Sequence, residues 1–216
     1  MMKIPLINMS RLGEYGLLFQ SEGPLSLDIQ GRFWALDLQC REIQGVDELV
    51  LGMHSLLLCL SPGADPENIR LQVLQQWRSI SSMPPNETIV DIPVIYDGED
   101  LIEIADQKSM TVEDIVRLHT HAEYTVFALG SQPGFPYLGG LDERLAVPRR
   151  SEPRVRVEAG SVVIGGTQTG VISRTSPSGW HIIGHTQTEL FDINKARPAL
   201  LSPGDRIRFV TATVDK

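Results

Sequence analysis

Helical periodicity of the hydrophobic positions is present before Gly130 and disappears after it. From about Ser26 to Gln44, apolar residues recur at steps of three and four and so share one helical face: Ile29, Phe33, Leu36, Cys40 and Ile43. A second amphipathic helix is predicted after Asp65, which can cap it, with Pro66 suited to its first position.

Short apolar runs predict strands around these helices. They cover Tyr15 to Gln20, Val46 to Gly52 and Ser55 to Leu60, with room for a closing strand near Thr88 to Tyr96. The resulting order of strands and helices is typical of a small ferredoxin-like α/β sandwich. Ser81 to Thr88, with its two prolines, is the predicted linker. We therefore expect an N-terminal domain over 1–87 and a second domain over 88–216.

The second domain is predicted to begin with helices and to continue as a β-barrel, which makes the fold class α+β. Short helices are expected from Asp100 to Asp106 and from Thr111, where Thr111 and Asp114 form a capping-box pattern. Beyond Gly130, glycine and proline punctuate short β-branched runs, a pattern typical of a barrel or sandwich.

Charge and cysteine content narrow the classes of function. The net charge of -8 leaves no surplus of cations for a nucleic-acid backbone, so no nucleic-acid partner is expected. Four arginines between residues 149 and 156 form either a local basic patch or a solvated loop that pairs with Glu152 and Glu158, and we favour the loop. The two cysteines, Cys40 and Cys59, are too few for a disulfide framework or a zinc site.

The sequence predicts neither a membrane-spanning segment nor a signal peptide. The most apolar stretch, Ser55 to Leu60, is far too short to span a bilayer. No sustained apolar run follows Lys3, so a signal peptide is not expected. The cysteines read as small buried hydrophobes in a reducing compartment, and the expected location is the cytoplasm.

Three glycine-rich segments after Gly130 are the candidates for chemistry. The first, Gly130 to Leu141, places Pro133, Phe135 and Tyr137 in a loop. Aromatic residues in a loop are either pinned into the core or form a pocket wall, and the residues leave both readings open.

The second segment, Gly160 to Gly170, is not a phosphate loop, because it lacks the Gly-Lys-[Ser/Thr] ending and no helix signal follows. Its Thr167, Gln168 and Thr169 offer neutral polar groups that suit an amide or carboxylate ligand. Seen alone, the segment is better interpreted as a hairpin turn with solvent-facing polar groups.

The third segment, Ser176 to Trp180, is not a nucleophile elbow. After it, His181 and His185 share a face of a predicted strand, where hydrogen bonding is favoured over metal binding. His119 lies on a helix face, where a histidine is ordinarily half-buried. If its helix closes over the glycine-rich loops, a neutral imidazole there could act as a base or orient a ligand.

Several motifs in a fixed order resemble one known family. They include Pro133 to Gly139, Pro148 to Arg150, Gln168 to Gly170, Gly179-Trp180 and Ile183 to Thr186. On these the chain resembles the PxpB/KipI family, the B subunits of 5-oxoprolinase, which is also called allophanate hydrolase subunit 1 or carboxyltransferase subdomains C and D. The resemblance is strong from about Asp91 to Val210 and weaker before.

The resemblance implies a small α/β domain followed by a cyclophilin-like β-barrel. It also implies a component of a hydrolase for a cyclic amide, inactive alone, which works with the A and C subunits of 5-oxoprolinase, the latter a related cyclophilin-like protein. Together these proteins open 5-oxoproline to L-glutamate at the expense of ATP, with Mg. Two alternatives remain, a KipI-like inhibitor of a sensor histidine kinase and a component of allophanate or urea-type amide metabolism.

Together these considerations give a set of candidate site residues. We predict that His119 and Gln168 are catalytic. The predicted substrate-binding residues share a place in or beside the glycine-rich segments: Pro133, Phe135, Tyr137, Arg149, Thr167, Thr169, Ser176, Trp180 and His185. No metal ligand and no covalently bound cofactor are expected.

Overall fold

A computed structural model describes residues 5–212, and the chain divides into two compact units, Met1–Pro85 and Asn86–Lys216. The boundary predicted from the sequence lies close by, between residues 87 and 88. Lys3, on which the expectation about a signal peptide rests, lies outside the described residues. Within the described range, no helix is long and apolar enough to cross a membrane.

Over residues 5–85, the first unit is a four-stranded antiparallel sheet with two helices. Its elements are β1 (Ile7–Leu12), β2 (Gly16–Ser21), α1 (Leu27–Cys40), β3 (Val46–Gly52), β4 (Ser55–Leu60) and α2 (Pro66–Ser79), and the strand order is β1-β2-β4-β3. The apolar faces of α1 and α2 share one core with the buried residues of β2 and β4.

Local capping fixes where these helices begin. The Ser26 hydroxyl accepts a hydrogen bond from the amide of Ile29 at 3.2 Å, and α1 starts at the next residue after Ser26. The Asp65 carboxylate accepts from the amides of Glu67 and Asn68, and Pro66 occupies the first position of α2. Each cap satisfies backbone donors that a helix start leaves without an internal partner, and the predicted start of α2 is confirmed.

The predicted closing strand of the first unit is wrong. Ile89–Val94 is a strand, β5, but it belongs to the second unit, where Ile92 and Val94 are fully buried in the core. The edge beside β2 is taken instead by β1, which the periodicity did not reveal. The described strands therefore do not confirm a ferredoxin-like topology for the first unit.

Over residues 86–212, the second unit combines two α-helices and a short 3₁₀ helix (Glu143–Leu145) with a seven-stranded sheet and a separate two-stranded ribbon. After β5 come α3 (Leu101–Lys108), α4 (Val112–His121), β6 (Tyr124–Leu129), β7 (Pro136–Gly139), β8 (Arg154–Val157), β9 (Ser161–Gly165), β10 (Gln168–Val171), β11 (Ser176–Ser178), β12 (His181–His185) and β13 (Arg206–Thr211). The sheet order is β12-β9-β10-β7-β6-β13-β5, and β8 pairs with β11. The predicted capping box of Thr111 and Asp114 is confirmed at the start of α4.

The two edges of the large sheet meet, so that the sheet forms a nearly closed barrel. Just beyond β5, Ile95 donates to the carbonyl of His185 at 2.8 Å and accepts from its amide at 2.9 Å. Gly184 permits this approach, because a Cβ there would lie 2.4 Å from the carbonyl oxygen of Ile95. The barrel prediction is confirmed, since closure removes the open sheet edge.

Strand β9 is buried on both faces, and this arrangement positions the candidate site. Val162 and Ile164 face the main core, while Val163 packs into a smaller cluster with Phe135, Val157, Ile172 and Trp180. Successive side chains of a strand point to opposite faces. The main core and the smaller cluster therefore lie on opposite faces of β9.

Candidate functional site

A pocket of about 460 Å³ lies beside the smaller cluster, a size typical of small-molecule sites. Loops that precede β7, β8 and β12 supply most of its lining, which combines apolar rings with neutral polar groups and two arginines. The lining residues are Ser131, Gln132, Phe135, Tyr137, Arg149, Arg150, Pro153, Ile172, Ser176, Pro177, Ser178, Gly179 and Trp180.

Three aromatic rings form one wall of the pocket by packing edge to face. The ring centroids of Phe135 and Tyr137 lie 5.1 Å apart, and those of Phe135 and Trp180 lie 5.7 Å apart. The interplanar angles of 83° and 86° are close to the T-shaped geometry that aromatic quadrupoles favour. Because Phe135 and Trp180 are themselves buried, this wall is preformed.

Gly165, at the end of β9, allows the indole of Trp180 to lie against the sheet. A Cβ at this position would lie 2.6 Å from Cδ2 of Trp180, closer than real contacts allow. We expect Gly165→Ala to displace the indole, to cost about 1–3 kcal/mol of stability and to change the tryptophan fluorescence. The matched control is Gly179→Ala, where the nearest atom is 3.7 Å away, and equal losses in both variants would contradict the assignment.

A buried carboxylate anchors the basic side of the pocket. Asp100, whose side chain is 3% exposed, accepts hydrogen bonds from Arg150 at 3.1 Å and from two nitrogens of Arg154 at 2.8 and 2.9 Å. The backbone amide of Ile182 donates to it at 2.7 Å. One carboxylate thus fixes two arginines and the start of β12.

The charge of Asp100 is maintained by these donors. Burial alone would raise the pKa of the Asp100 carboxyl, but the hydrogen bonds from Arg154 and Ile182 and the charges of Arg154 and Arg150 lower it below its ordinary value. Asp100 is therefore ionised at neutral pH, and it balances one of the two arginine charges.

The predicted pairing of the clustered arginines is partly wrong. Arg156 does pair with Glu158, at 2.6 Å. Arg150 and Arg154, however, pair with Asp100, which lies some 50 residues earlier in the chain. A partner so distant in sequence leaves no spacing signal, which is why periodicity and motifs do not reveal Asp100.

Neutral polar groups form another part of the pocket lining. The Gln132 side-chain amide donates to the hydroxyl of Ser176 at 3.3 Å and accepts from the backbone amide of Arg174 at 3.2 Å. Ser131, at the tip of the same loop, adopts a positive φ of 56°. The loop before β7 is thereby tied to the segment before β11, and its amide group is held in a defined orientation.

The pocket brings together five of the predicted substrate-binding residues: Phe135, Tyr137, Arg149, Ser176 and Trp180. Of the other four, Pro133 lies in the adjoining loop, where its carbonyl accepts from Ser173, and Thr167 is exposed in the turn between β9 and β10. Thr169 is fully buried, and His185 pairs with Asp97 at 2.7 Å, away from the pocket. Gln132 and Arg150 are pocket residues that the sequence reasoning did not single out, although both lie in segments that it marked.

The two predicted catalytic residues lie on different faces of the sheet. Gln168 is half-buried and pairs with Gly165, which faces the indole of Trp180, so Gln168 shares the pocket face. Thr169, the next residue, points to the main core and contacts His119. His119 therefore lies across the sheet from the pocket, and its role as a base stays a prediction that these contacts do not favour.

His119 belongs to a buried chain of hydrogen bonds. Its Nδ1 lies 2.7 Å from the hydroxyl of Tyr96, its Nε2 lies 2.9 Å from the hydroxyl of Thr169, and Thr169 donates to the carbonyl of Val163. The single hydroxyl hydrogen of Thr169 is donated to the carbonyl of Val163. Nε2 of His119 must therefore donate to the Thr169 hydroxyl, and Nδ1 must accept from the Tyr96 hydroxyl. Burial lowers the pKa of His119 to about 3, so the ring is neutral.

These groups can bind a ligand, but the pocket lining does not supply a base. Its titratable residues are Tyr137, Arg149 and Arg150, and no carboxylate or imidazole is among the described residues that line it. Across residues 5–212, no group of three or more His, Cys, Asp or Glu side chains could hold a metal ion. The arrangement suits recognition of a small polar or anionic molecule.

The turn between β9 and β10 does not fit the phosphates of a nucleotide. A phosphate loop leads from a strand into a helix, whose N-terminal amides bind the phosphates. Here Gly165 and Gly166 lead from β9 directly into the antiparallel strand β10. The segment is a hairpin turn, which is the interpretation that the sequence favours for it when it is seen alone.

A family model and two curated relatives point to the same protein family. Residues 7–201 match the family described as carboxyltransferase domain, subdomain C and D. A 5-oxoprolinase B subunit from Escherichia coli O157:H7 is 40% identical over 206 residues, which cover 92% of this chain and 93% of that protein. A protein of the same name from Haemophilus influenzae is 38% identical over 212 residues, which cover 97% of this chain and all of the relative.

Solved structures share the fold. The crystal structure of a protein designated TTHA0988 matches with a TM-score of 0.81 and 33% identity over 92% of this chain, which spans 40% of that longer protein. Urea carboxylase from Kluyveromyces lactis matches with a TM-score of 0.78 over 97% of this chain and 22% of the enzyme. At 20% identity, the second match shows the fold alone.

Proposed function

This chain belongs to the PxpB family of carboxyltransferase subdomain C and D proteins, and from that membership we propose that it is the B subunit of an ATP-dependent 5-oxoprolinase. In this proposal it acts with the A and C subunits in the cytoplasm to open 5-oxoproline to L-glutamate. The observation that carries the proposal is the similarity to two relatives named as 5-oxoprolinase B subunits over nearly their whole length. We also assign its barrel to the cyclophilin-like type.

The chemistry of the pocket supports a role in holding the substrate. 5-Oxoproline carries a carboxylate and a planar lactam. The arginines offer donors to an anion, while Gln132 and Ser176 offer neutral groups to an amide. The aromatic wall of Phe135, Tyr137 and Trp180 suits the apolar edge of a five-membered ring.

The lack of a general base among the described lining residues supports an active site that a partner protein completes. Ring opening adds water across a stable amide, which needs a group that accepts a proton from the water. The described lining residues provide no carboxylate or imidazole for this step. We therefore propose that one of the two partner proteins, the A or the C subunit, supplies the base, and that this chain alone is inactive.

We propose that ATP and its Mg bind to a partner protein. The glycine turn after β9 leads into a strand and not into a phosphate-binding helix, so this turn does not fit the triphosphate. The role left to this chain is to bind and orient the amide substrate.

The test is reconstitution from the three purified proteins. We expect glutamate to form from 5-oxoproline only when this chain, both partner proteins and ATP with Mg are present together. Each protein alone, each pair, and the full mixture without ATP serve as controls, with glutamate measured by chromatography. Hydrolysis by this chain alone, or no glutamate from the full mixture, would contradict the proposal.

A further inference from the structure

One positive charge at the pocket is not neutralised by any residue of the described range. Asp100 is shared by Arg150 and Arg154, whereas Arg149 makes no ion pair among residues 5–212. The guanidinium carbon of Arg149 lies 5.5 Å from the ring centroid of Trp180. The indole positions this guanidinium through a cation–π contact but leaves its hydrogen-bond donors available.

A second donor at the basic side also lacks a partner. The Nε of Arg150 is buried, and no hydrogen bond satisfies it among the described residues. Buried donors are normally satisfied by protein, water or ligand. The arginines of the pocket therefore have hydrogen-bond donors that could bind the acceptor oxygens of a ligand.

Gln132 and Ser176 form a neutral polar rim of the pocket. The amide nitrogen of Gln132 has two hydrogens, of which one is donated to Ser176, and so the other can donate to a carbonyl oxygen. The hydroxyl of Ser176 can accept a second hydrogen bond from an amide N–H. This rim is therefore matched to a neutral amide rather than to a charge.

We propose that the pocket selects small molecules that carry both a carboxylate and an amide, and that Arg149 is the residue that determines this specificity. Arg149 binds the carboxylate over the face of Trp180, and the pair of Gln132 and Ser176 binds the amide. The assignment rests on the proposed function, because 5-oxoproline is a molecule of this class, and it adds which end of the substrate is recognised and by which side chain.

A nucleotide is the competing ligand for an aromatic pocket with arginines. Stacking of a base needs an open ring face. Trp180 is only 7% exposed, with Gly165 against its ring and Arg149 over it, and Phe135 is similarly buried. Neither of these two rings offers an open face to a base, which favours a small carboxylate over a nucleotide.

The experiment measures binding directly by calorimetry, with the full chain alone and with the assembled complex. The probes are 5-oxoproline, 2-pyrrolidinone, which has the same lactam ring without the carboxylate, and ATP. We expect 5-oxoproline to bind at least about tenfold more tightly than 2-pyrrolidinone. Arg149→Gln should weaken 5-oxoproline by about 10- to 100-fold and leave 2-pyrrolidinone unchanged.

The matched control is Arg156→Gln, which removes the same charge at an exposed residue paired with Glu158 outside the pocket. It should keep the preference for the carboxylate. Equal binding of the two lactams, a preference that survives in Arg149→Gln, binding of ATP to the chain alone, or no binding in either preparation would each overturn the assignment. A complex that shows the expected preference without producing glutamate would instead remove only the proposed function.

Discussion

Asp100→Ala is expected to destabilise the second unit by about 3–5 kcal/mol, the cost of removing one partner from a buried ion pair. The carboxylate is 3% exposed and receives hydrogen bonds from Arg150, Arg154 and the amide of Ile182. Arg154 keeps a contact with Glu99 at 3.1 Å, but Arg150 and the amide lose their short-range acceptor. Denaturant unfolding followed by circular dichroism measures the loss.

An exposed ion pair of the same unit provides the control. Asp91 and Arg208 lie opposite each other on the parallel pair of β5 and β13, 2.9 Å apart, and both side chains are nearly half exposed. Asp91→Ala should cost less than about 1 kcal/mol, since water screens such pairs. Similar losses in the two variants would show that Asp100 is not a buried anchor.

Truncation of His119 is the second large effect, about 3–5 kcal/mol for His119→Ala, comparable with the loss of a buried aromatic ring. The fully buried imidazole stacks on Phe209 with ring centroids 4.4 Å apart and contacts the ring of Tyr124 at 5.4 Å. His119→Phe keeps a ring in this place but leaves the Tyr96 hydroxyl without its acceptor, which costs about 1–3 kcal/mol. His121→Ala, an exposed change on the same helix, should have little effect.

The same histidine makes stability depend on pH in a defined window. Its pKa is about 3 in the folded chain and about 6.5 when unfolded, so between these values only the unfolded state binds the proton. Stability from this group is complete above the unfolded pKa and falls as the pH drops, by about 2 kcal/mol between pH 7 and pH 5.

Comparison of wild type with His119→Phe isolates that contribution. The other titrating groups are common to both chains, so their effects cancel in the difference. The wild type should lose about 2 kcal/mol more than the variant between pH 7 and pH 5 when denaturant unfolding is repeated at each pH. Parallel pH profiles would mean that His119 is not held neutral in the folded state.

Local patterns predict the elements of the fold well, because caps and periodicities are encoded by neighbouring residues. Asp65 and Pro66 start α2, and Thr111 caps α4, as their residue types indicate. The assignment of β5 failed for the opposite reason. A short apolar strand does not specify its partner, and Ile89–Val94 pairs with a strand more than 100 residues later instead of with the first unit.

In the candidate site, too, the residues marked by a local pattern could be predicted, and those that depend on distant contacts could not. The pocket residues Phe135, Tyr137 and Trp180 could be predicted, because aromatic residues in glycine-rich loops are unusual and often form a pocket wall. Asp100 could not, because its importance arises from burial beside two arginines that are distant in sequence. The apolar pattern predicts the helix face on which His119 lies, but the side chain is fully buried and not half-buried. Which face of the sheet it contacts depends on strand pairing, which periodicity does not reveal.

The parallel pairing of β5 with β13 has a consequence for how the protein is made. A ribosome releases β5 long before β13, and the two partners Asp91 and Arg208 are separated by 117 residues. Contacts of such long range form slowly and leave strands unpaired in the meantime. During synthesis, β5 thus stays without its neighbour until the last strand of the barrel emerges, and we expect the nascent second unit to need protection from aggregation over that interval.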